Sequence, residues 1–213
     1  MIKTKIEWTD YSWNPITGCL HKCWYCYAKK LFTRFGKSFE PTFYPERLNE
    51  LKKLKKPSKI FVCSVADLFA KWTKPEWGEA VLNEIQKPEY NHLTFQLLTK
   101  NPENINLRAK DNIWVGATIT RQSELSMVSD LIGNYQGLKF VSFEPILEMI
   151  DISKIEPFCH IDWIIVGKLT GSRKIELDTD WINLLLEYSR NMDIPIFLKD
   201  NLNWHIKIRE FPK

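Results

Sequence analysis

Seven short runs of apolar and β-branched residues, each followed by a polar or amphipathic stretch, constrain this chain more than any other feature. They fall at 13–18, 60–65, 93–99, 113–119, 139–143, 163–167 and 194–198. Runs of this length with apolar residues on both faces read as buried parallel strands. Amphipathic segments at 45–56, 75–87, 122–134 and 180–191 read as helices, and Pro45, Pro75 and the Asp178-Thr179-Asp180 cluster are suitable starts. Residues 101–110 and 146–156 read as shorter connections. Strand–helix alternation implies right-handed βαβ units and a parallel sheet. The expected fold is α/β: an incomplete (β/α)6–7 barrel of the TIM type with parallel strands. A flat doubly wound sheet is the alternative. The 213 residues, 44% of them hydrophobic, suit one domain over 1–213 with a sizeable core.

The ends of these runs carry the chemistry. In parallel α/β folds, ligands gather where strands finish. Here those ends read Cys19, Ser64 to Asp67, Thr99-Lys100, Thr118 to Thr120, Glu144, Lys168 and Lys199-Asp200. A polar or metal-binding group at every end suggests the mouth of an active site. The bland readings stand beside this. Glu144 is a candidate for positioning substrate, or else a cap or ion pair. Lys168 and Lys199 face the cavity or the solvent. The basic run at 51–56 is a solvated helix face.

The first end continues as Gly18-Cys19-Leu20-His21-Lys22-Cys23-Trp24-Tyr25-Cys26-Tyr27, a Cys-x3-Cys-x2-Cys loop spanning 18–28. A [4Fe–4S] cluster usually takes four cysteines. Three leave one iron open, as a site that binds a molecule at the metal requires. A structural zinc site with His21 as fourth ligand is the competing reading, but closed zinc sites typically use two separated ligand pairs. Cys63 reads as a small buried hydrophobe. Cys159 reads as structural. Asp10, Trp13 and Asn14 shape the loop by turn and packing chemistry.

Five cysteines, three of them within eight residues, do not form a disulfide framework and fit ligation in a reducing cytoplasm. The amino terminus lacks the apolar run of a signal peptide, and no stretch approaches the ~18 apolar residues of a membrane span. A net charge of +4 permits a polyanionic partner without demanding one.

The cysteine spacing after a first strand, with Tyr25 before the third cysteine and Ala28 after Tyr27, resembles the motif of radical S-adenosylmethionine enzymes. The resemblance implies that Cys19, Cys23 and Cys26 ligate three irons of a [4Fe–4S] cluster and that S-adenosylmethionine binds the fourth. One electron, from a flavodoxin- or ferredoxin-type donor, then cleaves the sulfonium. The resulting 5′-deoxyadenosyl radical abstracts hydrogen from a substrate.

A second resemblance runs the length of the chain. Glu7-Trp8-Thr9-Asp10 and Trp13-Asn14-Pro15-Ile16-Thr17-Gly18-Cys19 are similar to the opening of the phage Gp37/Gp68 family. So are Val62 to Phe69, Trp114 to Thr118, Phe140 to Leu147, Asp162 to Gly167 and Pro195 to Lys199. That family is associated with a separate three-Cys-motif partner protein, which makes such a partner an expectation. Its members tend to continue the sixth strand as Gly-Gly-Glu-Ser-Gly, whereas this chain has Gly167-Lys168-Leu169-Thr170-Gly171. The missing acidic residue leaves the role of Lys168 open.

The strand ends also resemble the spore photoproduct lyase branch of radical enzymes. By that likeness Lys100 pairs with the cosubstrate carboxylate and Thr118 donates a hydrogen bond to the same end. Ser64 and Asp67 hold its ribose or amine, and Tyr25 meets the adenine through its backbone. Cys63 lies near a cysteine of that branch, which implies a hydrogen-atom donor inside the barrel, and a nucleic-acid substrate is implied. The alternative of a different class is a non-enzymatic iron–sulfur or zinc module that binds nucleic acid through Lys22, Lys29, Lys30, Arg34 and nearby aromatics. Such a module needs a closed metal site and has no use for polar groups at every strand end.

Overall fold

In the computed structural model, described over residues 1–154, 160–171 and 175–213, strands form where six of the seven apolar runs predicted them. Cys159 lies outside the described residues. The chain divides into two compact units, Met1–Thr99 with Lys110–Trp114 and Lys100–Ala109 with Val115–Lys213.

In the first unit, β2 (Tyr11–Trp13), β5 (Ser58–Val62) and β6 (Leu93–Thr99) are parallel, with Trp13, Val62 and Leu97 in register. These three side chains are buried on one face. Trp13 Nε1 donates to the Arg47 carbonyl at 2.8 Å. Helix α2 (Pro75–Ile85) starts on its proline and buries Val81 and Ile85. The other face carries Ser12, Phe61 and Gln96, all buried, and Gln96 Nε2 donates to the Trp8 carbonyl at 3.3 Å.

The strand expected at 13–18 is two strands. β2 ends at Trp13, and β3 (Ile16–Thr17) leaves to pair antiparallel with β4 (Thr42–Phe43). Pro15, which has no N–H for a ladder, stands at the break. An antiparallel edge strand, β1 (Ile2–Lys3), lies on β2 and gave too short a signal to be read. The helix expected at 45–56 is a 3-10 helix, Pro45–Lys53, which buries only Leu51 and so has no apolar stripe to hold an α-helix. Helix α1 (Tyr27–Arg34) was not expected and buries Ala28 alone.

In the second unit, β8 (Leu138–Phe143), β9 (Trp163–Val166) and β10 (Ile196–Leu198) are parallel. Phe140 pairs with Trp163, Ser142 with Ile165, and Ile165 with Phe197, so alternate residues share a face. Phe140, Trp163, Phe197 and Phe211 form an aromatic cluster with ring centroids 5.2 to 6.3 Å apart. In β7 (Ile113–Thr118), Gly116 admits the Phe140 ring, because a Cβ there would lie 2.6 Å from Cδ2. Helices α3 (Met127–Asn134) and α4 (Thr179–Asn191) complete the unit, α4 capped by the Asp178 carboxylate. The helix expected at 122–134 is interrupted because Glu124, in a 3-10 turn, accepts from the Thr120 N–H and hydroxyl.

The main sheet has eight strands in the order β1-β2-β5-β6-β7-β8-β9-β10. The class is α/β with a mostly parallel sheet, as expected for an incomplete (β/α) barrel. Among the described residues, no helix is long and apolar enough to cross a membrane.

Candidate active site

In the first unit the cysteine loop is fixed at both ends. Gly18 takes φ +89° and pairs with Ala66, its N–H donating to the Val65 carbonyl at 3.1 Å. A Cβ at Gly18 would lie far inside van der Waals contact with the Glu40 carbonyl and 2.7 Å from the Phe39 oxygen. Only glycine lets the chain pass here. The next N–H, of Cys19, donates to the Phe39 carbonyl at 3.2 Å. At the other end Cys26 caps α1, its sulfur accepting from the Lys29 N–H at 3.3 Å. The Cys26 N–H in turn bonds the Cys23 carbonyl at 3.1 Å.

Cys19, Cys23 and Cys26 are all half-buried on this one loop. The Cys19 thiol is pushed up to about 11, first by burial and then by the negative charge of Asp67, Cys23 and Cys26, with a backbone bond from His21 opposing. Among the described residues no three His, Cys, Asp or Glu side chains converge on one point as a single ion requires. A cubane asks for something else, because each thiolate takes a separate iron. Three half-buried thiols on one loop are the donor type that an iron–sulfur cluster takes.

His21, the nitrogen ligand of the zinc reading, is engaged elsewhere. Its Nε2 lies 2.8 Å from Asp67 Oδ2, and its ring meets the Trp72 ring edge-on at 4.7 Å. An ionised carboxylate only accepts, so Nε2 carries the proton. The other Asp67 oxygen accepts from the Thr99 hydroxyl at 2.7 Å and the Phe69 N–H at 3.1 Å. Asp67 is only 4% exposed. It thus ties the cysteine loop to the end of β6 and the turn after β5. Ser64 Oγ donates to Asn14 Oδ1 at 3.2 Å, the Val65 N–H donates to the same oxygen, and the Tyr27 hydroxyl donates to the Ser64 carbonyl at 3.0 Å. Tyr25 is half-buried, its ring edge-on to Trp24.

Cys63 is buried at φ +55°, with its thiol raised to about 12 by burial, so it stays protonated.

In the second unit, Lys100 lies 3.8 Å from Glu124 with its side chain 17% exposed, and Thr118 is buried at the end of β7. Lys199 donates from Nζ to Glu144 Oε1. Gly167 lies against this pair: a Cβ there would be 3.0 Å from Lys199 Cδ and 3.1 Å from Glu144 Cδ. By alternation Ser142 shares the face of Glu144, fully buried with its hydroxyl unpaired among the described residues. The backbone of Lys168 is held by Asn201, which accepts from its N–H at 3.1 Å and donates to its carbonyl at 2.8 Å.

Sequence reasoning found the cysteines and the strand-end residues but missed their pairings. His21–Asp67–Thr99 joins three separate segments, and Glu144–Lys199 joins residues 55 apart. Asn201 gave no signal, since a lone asparagine after a strand is ordinary.

The fold matches solved structures of spore photoproduct lyase, each covering 92% of this chain and 78% of that chain. The lyase complexed with dinucleoside spore photoproduct matches with a TM-score of 0.60 at 11% identity. A variant with the same dinucleoside gives 0.64 at 10%, and another with bound AdoMet and the dinucleoside gives 0.61 at 10%. At this identity the likeness establishes the fold. No curated protein matches the sequence. The family described as "Protein of unknown function (DUF5131)" matches residues 3–211, and the chain belongs to that family.

Proposed function

We propose that this chain is a radical S-adenosylmethionine enzyme whose [4Fe–4S] cluster is held by Cys19, Cys23 and Cys26. The observation that carries the reading is the loop itself: three half-buried thiols without a nitrogen ligand, His21 being turned onto Asp67. The fold shared with spore photoproduct lyase supports it. When bound, the cluster supplies the electron that cleaves S-adenosylmethionine to a 5′-deoxyadenosyl radical.

The chain's own residues bind and orient. Lys100 takes the cosubstrate carboxylate through a charge-assisted bond, and Thr118 donates to the same end. Ser64 and Tyr25 border the ribose and adenine. Asp67 fixes the loop through His21 and Thr99, and its negative charge meets the cosubstrate amine. Glu144 and Lys199 hold the substrate, with a proton donor and an acceptor side by side. The lyase structures carry a dinucleoside photoproduct, which makes nucleic acid the substrate class of choice. A protein partner of the three-Cys-motif type and a cytoplasmic location belong to the same reading.

The test is anaerobic reconstitution followed by reduction with S-adenosylmethionine. Formation of 5′-deoxyadenosine is expected, with Lys100→Ala retaining iron but binding the cosubstrate at least tenfold more weakly (about 1.4 kcal/mol or more). Iron-loaded, folded protein that leaves the cosubstrate intact would overturn the proposal.

A further inference from the structure

Aromatic rings in this chain are covered, except in one segment. Among the described residues, Trp24, Tyr27 and Phe35 are the only exposed Phe, Tyr or Trp side chains, Tyr27 by 56% and Phe35 by 65%. All three lie in the cysteine loop and α1. Two of these rings are held in place. The Tyr27 hydroxyl donates to the Ser64 carbonyl at 3.0 Å, and the Trp24 ring stands edge-on to Tyr25 at 5.5 Å. Tyr27 and Leu31 line one side of the helix, and Phe35 continues that side at its cap. The inner side is a separate stripe, with Ala28 buried and Phe32 against Phe39 at 5.0 Å between ring centroids. That stripe anchors α1, so the fold does not need the exposed ring faces for packing.

Positive charge runs beside the rings. Lys22, Lys29, Lys30, Arg34 and Lys37 are exposed, and no acidic residue occurs between Tyr11 and Phe39. Lys30 stands three residues after Tyr27, and Arg34 three after Leu31, so a basic row adjoins the aromatic one. Lys52, Lys53, Lys55 and Lys56 make the contrast: they are equally exposed, but no exposed ring lies among them. Charge interleaved with open rings is the combination that single-stranded nucleic acid requires, phosphates taking the cations and bases stacking on the rings. A duplex keeps its base faces stacked and offers such rings nothing. Four of the five charges at α1 are lysines, a residue depleted at protein–protein contacts, which argues against a protein as the occupant.

We propose that the cysteine loop and α1 bind single-stranded nucleic acid, with bases on Trp24, Tyr27 and Phe35 and phosphates on Lys29, Lys30, Arg34 and Lys37. The proposal rests on the nucleic-acid substrate class given above and adds the form of that substrate, a single strand, and the surface that holds it. The aromatic row begins within the loop that carries Cys23 and Cys26, so a strand lying along α1 reaches that loop. Binding is noncovalent and needs no radical step. Its phosphate share falls as salt rises, and its stacking share does not follow the salt.

Binding is measured by fluorescence anisotropy on the cluster-loaded chain. The probes are labelled single-stranded DNA and RNA of about twenty nucleotides and the DNA duplex of the same sequence. Trp24→Leu/Phe35→Leu keeps apolar bulk but removes two stacking faces, and Lys30→Gln/Arg34→Gln removes two charges. Circular dichroism and iron content are the folding controls. At least one single strand is expected to bind the wild type more tightly than the duplex does. Its Kd should rise at least tenfold in each variant. The slope of log K against log salt should become shallower by about 1.4 in the charge variant alone. Unchanged single-strand binding in either variant would overturn the proposal. So would a duplex bound as tightly as the single strands, or wild-type protein that self-associates through this face and binds neither strand. Single-strand binding without 5′-deoxyadenosine formation under dithionite would overturn the radical reading and leave this surface standing. Formation of 5′-deoxyadenosine by a chain that binds no single strand would do the reverse, so the two failures are separable.

Discussion

The Nε2–H of His21 donates to Asp67 Oδ2 at 2.8 Å, and this bond fastens the stretch between Cys19 and Cys23 to the turn after β5. The same carboxylate holds the Thr99 hydroxyl at 2.7 Å. One buried acid therefore sets the loop and a strand end together. Asp67→Ala strands three polar partners, His21, the Thr99 hydroxyl and the Phe69 N–H, and is expected to destabilise the fold by ~1–3 kcal/mol. His21→Ala should keep the cluster but release iron faster on chelator challenge, whereas Cys23→Ala should hold none. Equal iron loss in His21→Ala and Cys23→Ala would show His21 to be a ligand.

Gly18 is expected to tolerate no side chain. Its φ of +89° and the Glu40 carbonyl beside it leave no place for a Cβ. Gly18→Ala should cost ~2 kcal/mol or more, combining backbone strain with overpacking. Denaturant unfolding measures the loss, and iron content after reconstitution should fall with it. Gly36, at φ +62° with open space around it, serves as the control. Gly36→Ala pays the conformational term alone and should lose less.

The Glu144–Lys199 pair is half-buried, so removing one partner leaves the other charge poorly solvated. Lys199→Met and Glu144→Gln are each expected to destabilise by about 1–3 kcal/mol, discounted from the buried-pair range for partial solvent access. The double variant should lose less than the sum of the two. Additive losses in a double-mutant cycle would mean that the pair is not coupled. Gly167→Ala should likewise be milder in the Glu144→Ala background, which removes one of the two side chains its Cβ would crowd.

Glu210 gives the second unit a pH response. Its carboxylate accepts from Arg190 at 2.9 Å and from the Ile196 N–H at 3.0 Å. Chiefly the Arg190 bond holds its pKa below the ordinary carboxylate value. The folded pKa is thus lower than the unfolded one. The stabilisation is fully present above the unfolded value of ~4.3 and disappears as pH falls through the folded value. The Tm of the wild type should drop more than that of Glu210→Gln between about pH 5 and pH 3. Parallel curves would contradict this assignment.

Much of this architecture was legible because burial writes itself into runs of apolar residues. Trp163–Val166 and Leu93–Thr99 announced themselves by length and composition. The cysteine loop was legible because the spacing of three cysteines is a local property. What could not be read depends on contacts between distant segments. Helix α1 buries little of itself, so no periodic core face marked it; the Cys26 cap starts it. The break at Pro15 fell inside a run that looked continuous. The bond of His21 to Asp67, the second oxygen of Asp67 on Thr99, and the meeting of Glu144 with Lys199 arise only when segments 32 to 55 residues apart come together.

The most direct test of the central claim is a count of iron and acid-labile sulfide in the anaerobically reconstituted chain, with zinc measured alongside. The account predicts about four irons and four sulfides per chain, as one [4Fe–4S] cluster requires, and none in Cys23→Ala. One zinc per chain with neither iron nor sulfide would contradict it.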